Sequence, residues 1–136
     1  MDPSELVSGG AAGLRRIGEL LVQDGFPLTA LYLWREQQED GERWAIVIVS
    51  SADFRMSSKA FFNRLVRLKN RPDFPSVAVG ARFYLRSVED PVARQVIDYA
   101  RRIGTPVARI ESAMWNGIYI DYAVVVRWPD SDRAAA

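Results

Sequence analysis

The chain of 136 residues contains no cysteine and no histidine. Without Cys there is no disulfide framework, no thiol nucleophile, no iron–sulfur ligand set and no Cys-containing zinc site. Without His, the Ser-His-Asp arrangement, imidazole acid/base chemistry and every His-containing metal site are excluded as well. What survives is carboxylate chemistry, which suits a hard cation such as magnesium, together with Arg, Lys, Tyr and Ser. Lysine is nearly missing: the 18 basic side chains are 16 Arg and 2 Lys, a bias that favours bidentate contacts to carboxylate or phosphate. Neither sign of charge is in excess, and a net charge of +1 gives no molecule-wide field toward nucleic acid or an anionic membrane. No long apolar run suggests a membrane span. The opening residues MDPSELVSGG have no basic stretch followed by an apolar one, so no secretory leader is read and the cytoplasm is the expected location.

What is present fits a single α+β domain over 1–136 with frayed ends at 1–10 and 129–136. Apolar residues make up 49 % and charged residues 26 % of the chain, and this length buries a core without a staple. Leu14, Ile17, Leu20 and Leu21 recur at helical spacing, predicting a helix over 11–24 that stops at Gly25. The segments 28–37 and 43–50 are β-branched and aromatic, and they flank Glu39-Asp40-Gly41-Glu42. An Asp-Gly pair there predicts a two-residue turn with Glu39 facing Glu42, Trp34 opposite Val47 and Tyr32 opposite Val49. Tyr32, Trp34, Val47 and Val49 then share one sheet face, and Leu31, Leu33, Trp44, Ile46 and Ile48 the other. Two apolar faces require cover from helices or from a second subunit.

Ser57 or Ser58 caps a predicted helix that runs to Arg71, ahead of Pro72 and Pro75, with Phe61, Phe62, Leu65, Val66 and Leu68 on its apolar side. Residues 77–79 and 82–87 read as one strand interrupted at Gly80, near a sheet edge. Asp90-Pro91 starts a further helix with Val92, Val96, Tyr99 and Ile103 on its apolar stripe, and Gly104 stops it. A second hairpin joins 106–115 to 118–128 through Asn116-Gly117. The expected fold is therefore α+β: a mainly antiparallel or mixed five-stranded sheet with two hairpins, packed against three helices in the order α-β-β-α-β-α-β-β.

Three constellations bear on function. Arg64, Arg67 and Arg71 share the outward side of the helix over 57–71 with Lys59 on its border, a candidate contact for nucleic acid or another polyanion through phosphate charge alone. No helix-turn-helix, RNP or KH signature accompanies it. The carboxylates are the second: Glu111 and Asp121 look close, but a two-residue turn at Asn116-Gly117 pairs Glu111 with Tyr122 and Asp121 with Ser112, on opposite faces. Asp53 is expected to cap a helix, and Asp98 to pair with Arg102. Neither GGAAG at 9–13 nor the isolated Arg71-Pro72-Asp73 completes a phosphate-loop or nuclease motif, so no catalytic, cofactor or metal residue is assigned. The third is aromatic: Tyr32, Trp34, Trp44, Trp115, Tyr119 and Tyr122 are candidate interface residues, because Trp and Tyr bury large area at small entropic loss. The leading expectation is a non-catalytic interaction or structural module that self-associates, as a homodimer, through an apolar sheet surface. Polyanion binding through the Arg-rich helix, and a small-ligand domain or carboxylate metalloenzyme, stand as alternatives.

Overall fold

A computed structural model describes residues 12–38, 41–51, 55–75, 82–104, 107–115 and 117–128. The elements are α1 (Ala12–Gln23), β1 (Leu28–Gln38), β2 (Gly41–Ser50), α2 (Ser58–Lys69), β3 (Arg82–Ser87), α3 (Pro91–Ile103), β4 (Val107–Trp115) and β5 (Ile118–Arg127), in the predicted order. The strands form one mixed sheet in the order β3-β2-β1-β5-β4. Only β2 and β3 run parallel, which requires a crossover, and α2 supplies it. Because β3 and β4 are the two outer strands, α3 carries the chain across the sheet from one edge to the other. None of the described helices is long and apolar enough to cross a membrane.

Period-2 alternation sorts the central strands onto two cores. On one face Leu31, Leu33, Ile46, Ile48, Val124 and Val126 pack against Leu14, Ile17, Leu20 and Leu21 of α1 and Phe61, Leu65 and Leu68 of α2. On the other, Tyr32, Trp34, Val47, Val49 and Val125 pack against Val92, Ala93, Val96, Ile97 and Ala100 of α3. The caps match their local signals: Ser57 Oγ accepts from Ala60 N–H at 3.1 Å, and Asp90 Oδ2 from Ala93 N–H at 3.0 Å.

The first hairpin corrects the predicted register. Gln38 pairs with Gly41, so the two connecting residues are Glu39 and Asp40, which lie outside the described residues, and Gly41 belongs to the strand. Trp34 stands opposite Ala45, Tyr32 opposite Val47, and Gln37, in place of Glu39, opposite Glu42. Packing explains the shift. Trp34 is flanked by Ala45 on β2 and Ala123 on β5, two small neighbours that leave room for its indole, and that fit outweighs the turn preference of Asp-Gly. The displacement is two residues, so every side chain keeps its predicted face. The second hairpin has the predicted register, with Trp115 on Ile118 and Gly117 at φ +80°. Residues 77–79 lie outside the described residues, leaving β3 as 82–87.

Close approach between α1 and the end of β5 depends on one glycine. A methyl group at Gly18 would overlap Trp128 Cζ3 and come within 2.6 Å of Cη2. Gly18→Ala is therefore expected to destabilise the protein by about 1–2 kcal/mol, because overpacking against a rigid indole outweighs the roughly 1 kcal/mol that Ala gains in helix propensity. Urea unfolding of a double-mutant cycle checks this: Gly18→Ala with Trp128→Leu should lose less than the sum of the single changes.

Candidate functional site

The cationic stripe of α2 is largely engaged inside the chain. Arg64 Nε lies 3.2 Å from Asp24 Oδ2, just beyond α1, and its guanidinium lies 6.0 Å from the centre of the Phe26 ring. Arg71 grips Asp73 with two bonds, Nε to Oδ1 at 3.0 Å and Nη2 to Oδ2 at 2.9 Å. Arg16 of α1 reaches the same Oδ2 at 2.8 Å. Two of the four candidate polyanion contacts thus tie α2 and its following turn to α1. Lys59 and Arg67 are exposed, and neither has an ion pair among the described residues. The arginines do not merge with those of α3, since α2 and α3 lie on opposite sheet faces. Arg109 lies on β4, the edge away from β3.

The aromatic candidates divide differently. Tyr32 and Trp34 are 1 % and 6 % exposed, rings edge to face at 5.1 Å, in the core beneath α3. Trp44 and Tyr122 are half-buried against the opposite core, and Arg35 lies 5.5 Å over the Trp44 ring. The side chains of Trp115, Tyr119, Glu111 and Asp121 lie outside the described residues. The backbone ladder does pair Glu111 with Tyr122. Asp53 also lies outside the described residues. Asp98 meets Arg101 at 3.9 Å, while Arg102 donates to the Asp98 carbonyl at 3.5 Å, so the predicted Asp98–Arg102 ion pair is replaced by the i,i+3 pair. Among the described residues no three acidic side chains converge to hold a metal ion.

Among the described residues, a surface that combines shape with exposed apolar groups lies at the β3 edge. On the α2 side, Met56, Phe61, Phe62, Leu65, Phe83 and Leu85 line a cleft of about 320 Å³. On the α3 side, Tyr32, Trp34, Val47, Tyr84, Arg86 and Val92 line a second cleft of about 340 Å³. Tyr84 and Arg86 border both. Phe62 on the rim is 63 % exposed, and Val66 one turn further along α2 is 40 % exposed. Sequence reasoning assigned Phe62 and Val66 to the buried stripe. At 100° per residue, however, Phe61, Leu65 and Leu68 complete that stripe and turn Phe62 and Val66 outward.

Two outcomes are expected. The Arg71 hydrogen bonds and charge, with Arg16 beside them, hold the Asp73 carboxyl below its ordinary range despite some desolvation. A depressed folded-state pKa contributes stability that is present above the unfolded value and lost as pH falls through the folded one. The stability difference between wild type and Asp73→Asn should therefore shrink through the acid range, as unfolding curves against pH will show. Second, any oligonucleotide retention through the candidate contacts of α2 should follow Lys59 and Arg67, the two of the four without an ion pair among the described residues, with a log–log salt slope of about 2 or less. Lys59→Glu with Arg67→Glu should abolish it, and a steeper slope would show that Arg64 and Arg71 also take part. Comparison of the chain with protein-family models, curated proteins and solved structures returned no match.

Proposed function

We propose that the chain is a non-catalytic protein-interaction module that offers the α2–β3 end of its sheet to a partner. The observation that carries this reading is the pair of clefts on either side of one edge strand, with Phe62 standing 63 % exposed at the rim of the α2-side cleft. An aromatic ring held in water on a rigid helix matches the anchor residues of protein interfaces. Self-association through a sheet face has less support. Of the six candidate residues for it, Tyr32 and Trp34 are buried by the chain's own helix and Trp44 and Tyr122 are half-buried against the opposite core. The side chains of Trp115 and Tyr119 lie outside the described residues, and we therefore take the sheet edge and not a face as the contact surface.

Shared walls argue against reading either cleft as a separate small-molecule site. Each falls at the small end of ligand-pocket volumes, roughly 300 to 1,000 Å³, and they share Tyr84 and Arg86 as walls. The polyanion alternative is weakened because Arg64 and Arg71 are held by Asp24 and Asp73.

Selection from a displayed peptide library, followed by amide chemical-shift mapping, tests the proposal. Enriched peptides should shift resonances over residues 56–65 and 82–87, and Phe62→Glu should weaken them by about tenfold, consistent with loss of a central apolar anchor. Failure to enrich any peptide, or shifts confined to the outer side of α3, would remove the reading.

A further inference from the structure

Resting on that reading, we propose that the partner is an extended segment alternating acidic and apolar residues, which joins the sheet as a sixth strand along the outer edge of β3. Backbone direction is the first argument. Val88 N–H donates to Ser50 O at 3.1 Å, and Ser50 Oγ donates to Arg86 O at 3.4 Å. Even-numbered residues of this strand therefore turn their peptide groups toward β2. By alternation, Phe83 and Leu85 turn theirs to the outer edge, beyond which there is no further strand among the described residues. The Leu85 carbonyl accepts from Arg86 Nη1 at 2.9 Å, an exposed side chain that can leave for a carboxylate. Outward peptide groups at a strand edge are a template for another strand.

Side-chain alternation supplies the specificity. Phe83 and Leu85 pack toward the α2-side core, and Tyr84 toward the α3-side core. Arg82 and Arg86 share the face of Tyr84 and are exposed. A docking strand thus meets apolar groups and Phe62 on one face and two arginines on the other, with main-chain bonds between. Of the carboxylates that follow β3, Asp90 lines the far end of the α3-side cleft with its Oδ2 accepting from the Ala93 N–H, and Glu89 is exposed past the strand end. Charge also selects against a second copy of this chain. Pairing β3 with another β3 brings the arginines of two copies together across the new ladder, where like charges are unfavourable.

The probe is a blocked eight-residue peptide alternating Glu with Val and Leu, titrated into the wild-type protein with amide shifts recorded. Binding should shift residues 82–87, and replacing every Glu by Lys should weaken it at least tenfold. N-methylating two alternate amides on the β3 side should weaken it about tenfold, as loss of main-chain hydrogen bonds predicts, while N-methylating the other set should change it little. Arg82→Glu with Arg86→Glu should reverse the preference toward the Lys peptide; the N-methyl series decides the matter if that variant does not fold. Selected peptides that bind at 56–65 and 82–87 regardless of N-methylation would overturn strand addition and leave the interaction reading standing. Absence of binding by designed and selected peptides alike would overturn both. A concentration-dependent dimer that shields residues 82–87 would replace the peptide by a second copy and overturn the proposal.

Discussion

Everything in this fold is arranged around β1, a strand paired antiparallel on both sides and buried on both faces. From Ala30 through Trp34 no residue is more than 6 % exposed, and neither face can turn to water without exposing several large side chains. Burying a Leu- or Val-sized side chain is worth about 1.5–3 kcal/mol, so leaving either face of β1 open would consume a large part of the roughly 5–15 kcal/mol by which a domain is stable. Both faces must therefore carry helices, and the described residues supply three. Two, α1 and α2, cover the Leu31–Leu33 side, while α3 alone serves the Tyr32–Trp34 side and lies over β4 and β5. That uneven cover leaves the β3 end of the second face as a cleft and not as a packed wall.

The local grammar of the sequence accounts for most of the architecture. Ser57, Asp90-Pro91, Gly104 and Gly117 act through short-range backbone chemistry, and each does what its residue type dictates. The faces of the first hairpin are likewise legible, because alternation is unaffected by a two-residue shift. Its register was not, because the choice between Asp40-Gly41 and Glu39-Asp40 rests on Ala45 and Ala123 fitting beside Trp34, one of them about 90 residues away in the chain. The same limit hid the fate of the basic helix. Arg64 and Arg71 look outward when that helix is drawn alone, and only the placement of α1 beside it brings Asp24, Arg16 and Asp73 into the account.

Exposure at Phe62 is a case where helical periodicity and composition conflict. Phe61 and Phe62 are adjacent, 100° apart, and one helix facing one core cannot bury both once Leu65 and Leu68 define the stripe. Aromatic content therefore overstated how much of this helix is core.

Edge strands are hazards that proteins limit with short length and charge, and β3 shows both, being six residues long with exposed Arg82 and Arg86. Those features alone describe protection against self-pairing. What they do not require is an apolar hollow on each side of the same strand, or a Phe presented to water beside it. A strand that only needed defending would be better served by filling the hollows, since each uncovered apolar group forfeits transfer free energy. Cations that repel a like strand, next to hollows that accept alternate side chains, make the edge selective instead of closed. Repulsion between copies and attraction of an acidic segment are then two consequences of the same pair of arginines.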